Sequence, residues 1–323
     1  MKILITGGAG FIGSHLAELY LENGHDVYII DNLSTGSLNN IKSFQLNDKF
    51  RNHLFVYIDT IFNKKKMTEL IRKCDFIFHL AAAVGVEYIL KHPLESINTN
   101  IQGTQIVLEL CSKFNKKVLI TSSSEVYGKH THAPLVEDDN IIYGPSSKFR
   151  WSYAASKLMD EFTALAYYRT NGLNVIIVRL FNTVGQRQTG AYGMVMPRLI
   201  TQALKNMPLT VYGDGLQTRT FTYVKDVAQG MFMLMESRST VGEVFNIGGT
   251  EEISILKLAE KIIEQTGSAS KIELIPYYQI FDKNFEDMLR RVPSVKKIYR
   301  YIGFKPETKL DTILSLIIND IKQ

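Results

Sequence analysis

The sequence predicts an α/β fold: a doubly wound parallel sheet with helices on both faces, followed by a smaller C-terminal α/β lobe. Three observations carry that reading. Short apolar, β-branched runs alternate with segments of helical period through the first half of the chain; the first run opens into a glycine-rich turn; the second run ends on an acid.

The first unit sets the pattern. Ile3-Leu4-Ile5 is a strand, Thr6-Gly7-Gly8-Ala9-Gly10-Phe11-Ile12-Gly13 a turn leading into a helix that closes near Gly24, and Val27-Tyr28-Ile29-Ile30 a second strand ending on Asp31. Gly7 suits a tight turn, Gly10 lets the backbone approach a pyrophosphate, and Gly13 lets the helix pack close to the sheet while its N–H groups face the anion. A glycine triplet alone is a weak signal, but a strand before it, a helix after it and an acid at the next strand end make it a dinucleotide loop. Asp31 is placed to accept both hydroxyls of an adenosine ribose and would repel a 2′-phosphate. Asn32-Leu33-Ser34-Thr35 supplies no arginine for one. The expected cofactor is NAD, in preference to NADP.

The remaining elements follow in order. A polar turn, Ser34-Thr35-Gly36-Ser37, and an irregular stretch lead to a third strand at 54–58, closed by Asp59 and Thr60. A short helix at 67–73 precedes the strand Phe76-Ile77-Phe78-His79-Leu80, which runs into Ala81-Ala82-Ala83. Small residues there leave room for a cofactor at the carboxyl edge of the sheet. His79, in an apolar strand, reads as structural. A helix at 98–114 and a strand at 118–121 open into Ser122-Ser123-Ser124-Glu125-Val126-Tyr127-Gly128. A long helix at 152–169, ended by Asn171-Gly172, precedes a sixth strand at 175–178.

Beyond Arg179 the chain is richer in glycine and polar residues. It carries a helix near 196–206, a turn at Tyr212-Gly213-Asp214-Gly215, a helix at 224–236, a strand at 244–247, a helix at 255–265 stopped by Gly267 and a terminal helix after Leu310. Residues 1–180 are expected to form an NAD-binding domain of Rossmann type, with return segments near 220–247. Residues 181–323 are expected to form an interleaved substrate lobe.

Composition narrows the function class. With 323 residues, 45% of them hydrophobic and 21% charged, the chain can bury a substantial core as one large or two interlocked domains. No apolar run approaches the roughly 20 residues that span a bilayer. The chain enters its first strand at once, so no signal peptide is expected. Cys74 and Cys111, the only cysteines, lie in core-like segments, which fits a reducing cytoplasm and no disulfide framework. The net charge of +5 raises nucleic acid as a partner. The basic clusters Lys64-Lys65-Lys66, Lys116-Lys117 and Lys296-Lys297 lack interleaved aromatics for base stacking, so they read as solvated helix faces. Neither nucleic acid, membrane nor metal is expected.

Tyr153 and Lys157, four apart at the start of the long helix, face one side of it. A tyrosine with an ordinary pKa near ~10 is a poor base at neutral pH. A lysine cation beside it, with the positive field of bound nicotinamide, favours the phenolate. Tyr-x-x-x-Lys is by itself a common surface pair, and the weight here comes from the dinucleotide loop and serine-rich strand end before it. Ser123, just past the fifth strand, can hydrogen-bond the substrate oxygen that loses its proton to Tyr153; a polar turn with capping serines is the plainer alternative.

These motifs together resemble the extended short-chain dehydrogenase/reductases of the nucleotide-sugar epimerase/dehydratase family. The likeness rests on Thr6 to Gly13, Asp31, His79-Leu80-Ala81-Ala82, Ser123, Tyr153-Ala-Ala-Ser-Lys157, Arg179-Leu-Phe-Asn182 and Gly213-Asp-Gly-Leu-Gln-Thr-Arg219, in order over nearly the whole length. It implies NAD held against Gly7, Gly10, Phe11, Ile12, Gly13, Asp31, Asn32, Ser34, Thr35, Gly36, Asp59, Thr60, Leu80, Ala81, Ala82, Asn100, Tyr153 and Lys157. It implies a nucleoside-diphosphate sugar, UDP-linked, beneath the C-terminal lobe, with Asn182 and Arg219 at the diphosphate and Arg290 or Arg291 as a second phosphate-binding arginine. It also implies a homodimer built from the two long helices. Two departures stand out: Ser294 replaces a frequent aspartate, and Ser124 stands in the substrate site where dehydratases carry an aspartate.

The resemblance implies that Tyr153 takes the C4 hydroxyl proton while NAD oxidises C4. A 4,6-dehydratase must then protonate a departing C6 hydroxyl, for which serine at 124 is unsuited. Glu125 is a candidate base at C5, and the Ser-Ser-Glu order also resembles UDP-glucuronate decarboxylases, in which Arg187 is expected to receive the C6 carboxylate. A 4-epimerase needs least, since the keto-sugar turns over and is reduced on its other face. The order expected is epimerase, then decarboxylase, then dehydratase, with a non-catalytic NAD-binding scaffold last because Ser123, Tyr153 and Lys157 are intact.

Overall fold

Ile3, Leu4 and Ile5 have no exposed surface, and their strand lies at the centre of the molecule. The computed structural model describes residues 1–130, 132–190, 194–280 and 288–322. Its first half alternates β1 (Lys2–Thr6), α1 (Phe11–Glu22), β2 (Asp26–Asp31), α2 (Asn39–Leu46), β3 (Leu54–Ile58), α3 (Lys64–Lys73), β4 (Phe76–His79), α4 (Val86–Lys91), α5 (Pro93–Lys113), β5 (Lys117–Ser123), a 3-10 turn (Ser124–Tyr127), α6 (Arg150–Asn171) and β6 (Val175–Leu180). The second half continues with β7 (Thr183–Val184), α7 (Val195–Leu204), β8 (Leu209–Tyr212), β9 (Thr218–Thr220), β10 (Thr222–Tyr223), α8 (Val224–Glu236) and β11 (Val244–Ile247). It ends with β12 (Glu252–Ser254), α9 (Ile255–Thr266), β13 (Ile272–Ile275), α10 (Tyr277–Ile280), β14 (Arg290–Arg291), α11 (Lys296–Ile302) and α12 (Leu310–Lys322).

Seven parallel strands form one sheet in the order β11-β6-β5-β4-β1-β2-β3. The order reverses between β1 and β4, so their carboxyl ends open a crevice where the loops diverge to opposite sides. One apolar cluster covers one face, joining Leu16, Ala17 and Tyr20 of α1 to Val227, Met231 and Leu234 of α8. A second covers the other face with Met67, Leu70, Val107, Leu108 and Ala164 from α3, α5 and α6. Each fully buried aliphatic side chain contributes about 1.5–3 kcal/mol. Cores on both faces are what the uninterrupted apolar strands demand. A third cluster packs α7, α9 and α12 around β8.

Local chemistry ends the helices where the sequence suggests. Gly172 and Gly267 stop α6 and α9 in the left-handed conformation, with φ of 68° and 64°. The Asn63 side chain accepts from the Lys66 N–H, capping α3, so the lysine triplet opens that helix and Lys66 pairs with Glu69 at 2.7 Å. Cys74 and Cys111 are free and buried.

Several boundaries differ from expectation. The stretch after Asp31 contains α2; only Ile41 and Phe44 of its eight residues are buried, so its apolar stripe is too thin to read. A short helix, α4, precedes α5, which starts at Pro93 because proline suits the first helical turn. β5 runs on through Ser122 and Ser123, and α6 begins two residues early, at Arg150. Among the described residues no helix is long and apolar enough to cross a membrane.

Candidate active site

The carboxyl edge of the sheet opens into a cavity of about 970 Å³ that runs from the glycine turn to the loops of the second half. Gly7 adopts φ +71°, and a Cβ there would come within 2.9 Å of the Ala81 backbone nitrogen. A Cβ on Gly13 would collide with the Gly7 carbonyl oxygen. Only glycine fits at either place. Gly10 is the N-cap of α1 and provides no side-chain cap, so the first N–H groups of that helix are left for an outside acceptor. That cradle fits a dinucleotide pyrophosphate.

Gly7, Gly10, Phe11, Ile12, Gly13, Asp31, Asn32, Ser34 and Thr35 line this end of the cavity, and Asp59, Thr60, Leu80, Ala81 and Ala82 continue it. Asp31 accepts from the Ala9 and Leu33 N–H groups at 3.0 and 2.8 Å, one to each oxygen. This fixes the carboxylate while leaving lone pairs for ribose hydroxyls. Burial raises its pKa and those N–H donors oppose the rise.

Two expected cofactor contacts lie behind the wall. A Cβ on Gly36 would sit 2.8 Å from the Asp31 carboxylate, so Gly36 backs Asp31 and does not line the cavity. Asn100 is buried, accepts from the Ala83 N–H at 2.9 Å and donates to Ser156 Oγ at 3.1 Å. Ser156 in turn donates to the Tyr153 carbonyl at 2.8 Å, so Asn100 ties the β4 edge to α6.

Ser123, Tyr153 and Lys157 meet on the opposite wall. Ser123 stands beside the Tyr153 phenol, and its hydroxyl favours the phenolate. Burial nevertheless holds the phenol above its ordinary pKa in the protein alone; Lys157 and Ser123 lower it, while Glu125 and Asp160 raise it. Lys157 donates to Asp160 at 2.8 Å, one turn along α6. Burial works against the lysine charge, but Asp160 and Tyr153 carry its pKa above the ordinary value. His79 accordingly plays no part as a base. It is buried between Thr6 and Thr104, and burial, then Lys157, holds it down to about 3.

Glu125 lies among guanidiniums. Arg291 reaches it at 2.7 Å and Arg150 at 3.4 Å. Burial alone would raise its carboxyl; Arg291, Arg150 and Arg219 bring it down to about 2. Glu125, expected as a base at C5, is thereby held as an anion between two guanidiniums. Ser124 lies 3.3 Å from Arg291 and carries no acid for a dehydratase step.

The other substrate candidates divide. Asn182, Arg219, Ser124 and Arg291 line the cavity. Arg290 instead grips Glu252 through two hydrogen bonds of 2.7 and 2.8 Å, outside it. Neighbours on a strand point to opposite faces, so only one of the two arginines faces the site. Arg187 also lies outside the lining: it pairs with Glu18 of α1 at 2.8 Å and stacks over Phe44. Its expected contact with a substrate carboxylate is thus withdrawn, because its guanidinium already serves α1. Arg150, which faces the cavity three residues before Tyr153, was missed; its helical spacing from Tyr153 is the signal that places it on the same side.

NAD-dependent enzymes of the extended short-chain dehydrogenase/reductase class set a dinucleotide cradle and a tyrosine–lysine pair across the sheet edge in this relation. Within that class the chain belongs to the family described as GDP-mannose 4,6 dehydratase, whose model matches residues 4–317. It is 42% identical over 306 residues to the UDP-N-acetyl-α-D-glucosaminuronate decarboxylase of Bacillus cytotoxicus, covering 94% of this chain and 92% of that one. It is 33% identical over 323 residues to UDP-glucuronic acid decarboxylase 4 of Arabidopsis thaliana, covering 100% and 69%. The structure resembles that of UDP-glucuronic acid 4-epimerase from Bacillus cereus, crystallised with UDP-glucuronic acid and NAD. That likeness has a TM-score of 0.89 at 32% identity and covers 100% and 99% of the two chains.

Proposed function

We propose that the protein decarboxylates a UDP-linked hexuronate through a transient ketone at C4, a reading placed behind epimerisation on the sequence alone. The observation that carries it is the cationic cluster of Arg150, Arg219 and Arg291 against the single carboxylate of Glu125. Arg291 Nε is buried with no hydrogen-bond partner among the described residues, which leaves a donor for an incoming anion. A substrate bearing a C6 carboxylate besides its diphosphate suits that surplus of positive charge. The decarboxylases among the relatives support the same reading.

The residues divide the work. Asn182 and Arg219 hold the diphosphate, Ser123 orients the C4 hydroxyl, and Tyr153 takes its proton. Bound NAD supplies the two-electron acceptor that makes C4 a ketone and the donor that restores the alcohol. With a ketone at C4, the C6 carboxylate is β to a carbonyl. The C5–C6 bond breaks, its electron pair passes into the C4–C5 enolate, and carbon dioxide leaves. One proton is then taken up at C5. Lys157 keeps the Tyr153 oxygen acidic enough to exchange its proton in both directions. Glu125 fixes the guanidiniums of Arg150 and Arg291.

Epimerisation of the same hexuronate at C4 is the second reading, supported by the likeness to the UDP-glucuronic acid 4-epimerase. We assign NAD binding to residues 1–180 with 220–247, and sugar-nucleotide binding to 181–323. Exposed Met159 and Phe162 on α6 support a homodimer through α5 and α6, and free buried cysteines support a cytoplasmic setting. Mixing the protein with UDP-glucuronate and UDP-N-acetylglucosaminuronate and identifying the sugar product by NMR tests the reading. A pentose supports it, and a hexuronate inverted at C4 favours the epimerase.

A further inference from the structure

Beneath Tyr153 and Lys157 runs a line of buried polar groups drawn from four elements. Thr6 of β1, His79 of β4, Thr104 of α5 and Asp160 of α6 are each at most 2% exposed. The Ala81 N–H donates to Thr6 Oγ1 at 3.2 Å. Thr6 Oγ1 lies 2.8 Å from His79 Nδ1, and His79 Nε2 lies 3.1 Å from Thr104 Oγ1. Burial raises the Asp160 pKa, Thr104 opposes the rise from a donor's position, and Asp160 receives the Lys157 ammonium at 2.8 Å.

The carboxylate end fixes the direction of the bonds as far as His79. A backbone N–H only donates and a carboxylate only accepts. Thr104 therefore gives its proton to Asp160 and accepts from His79, which puts the imidazole proton on Nε2. With its Nε2 proton given to Thr104 and burial keeping the ring neutral, His79 accepts at Nδ1 from Thr6, whose oxygen accepts from Ala81. A ring protonated on Nδ1 alone breaks the sequence at Thr104, whose single proton is already given to Asp160.

We propose that this chain is a one-way hydrogen-bond relay that locks His79 as the neutral Nε2–H tautomer and aims Asp160 at Lys157, making Asp160 the positioning residue that keeps Lys157 an ammonium beside Tyr153. The relay rests on the reading of Tyr153 and Lys157 as the acid–base pair. Glu161, the next residue on α6, is taken by Arg179 at 2.7 and 2.9 Å, and Glu125 is held by Arg291 and Arg150. Asp160 is left as the counter-ion of Lys157. The relay starts at Ala81, against which Gly7 of the dinucleotide turn packs, so it joins the cofactor cradle to the acid–base pair.

Nitrogen-15 NMR of histidine-labelled protein tests the relay without turnover. The expected His79 signal is that of a neutral ring protonated at Nε2 from about pH 5 to about pH 8. A proton on Nδ1, or a cationic ring in that range, overturns it. A second readout is the pH profile of kcat in Asp160→Asn and in the isosteric Thr104→Val, which keeps the carboxylate but cuts its tie to His79. The alkaline limb should move at least about one pH unit toward neutrality in Asp160→Asn and in the same direction, by less, in Thr104→Val. An alkaline limb unmoved in both variants refutes the positioning role. If no activated sugar is turned over, the acid–base reading fails while the NMR result still judges the relay.

Discussion

Glu125 and Arg291 meet at 2.7 Å although 166 residues separate them in the chain. The turn after β5 and the short strand β14 are thereby joined inside the cavity. Leu135 reinforces the junction, donating its N–H to the Val292 carbonyl at 2.8 Å and accepting from the Ser294 N–H at 2.7 Å.

This pairing makes stability depend on acid. The Glu125 carboxyl is held at about 2 against an ordinary 4.5, so its contribution is complete above the ordinary value and is lost as pH falls through about 2. At ~1.4 kcal/mol per unit, the loss is about 3 kcal/mol. Urea denaturation of Glu125→Gln across that window should show a shallower acid decline than the parent. What remains is expected from Glu18, also held at about 2, with His15 and Arg187 outweighing its burial. An unchanged acid decline refutes the assignment.

Tyr153→Phe removes the hydroxyl that takes the C4 proton and little volume. Turnover is expected to fall by about 10²–10⁴-fold, while NAD released on denaturing the protein stays at the parental ratio. Turnover near the parental rate means another group is the base.

The glycines separate cofactor binding from stability. Gly13→Ala drives a methyl into the Gly7 carbonyl oxygen and should reduce copurified NAD more than about tenfold. Gly172→Ala meets nothing within 4 Å but must hold φ near 68°. It should cost about 1 kcal/mol in thermal stability and leave NAD in place. Equal loss of NAD in both variants contradicts the cradle.

Arg187→Ala tests the corrected placement. The variant loses the bond to Glu18 and should be destabilised by about 2 kcal/mol, read as a lower Tm. Its KM for the nucleotide sugar should stay within about twofold of the parent. A large rise in KM restores Arg187 to the substrate site.

The sequence made the sheet legible because its buried strands are apolar throughout, and it made the cradle legible because Gly7 and Gly13 answer to backbone geometry within a few residues. Ser123, Tyr153 and Lys157 were readable from a strand end and one helical turn. Ion pairing was not. Which of Arg290 and Arg291 faces the cavity depends on strand register, and the withdrawal of Arg187 depends on Glu18, distant in sequence. Asn100 and Gly36 carried the right motif but support the wall from behind. Arg150 escaped notice because its partner, Glu125, belongs to a different element.

Carbon-13 at C6 of a UDP-linked hexuronate reports directly on the fate of the C5–C6 bond. The purified protein should release the label as carbon dioxide and leave a UDP-pentose, with no net consumption of NAD. Label retained at C6 in a sugar inverted at C4 would contradict decarboxylation and assign the site to epimerisation.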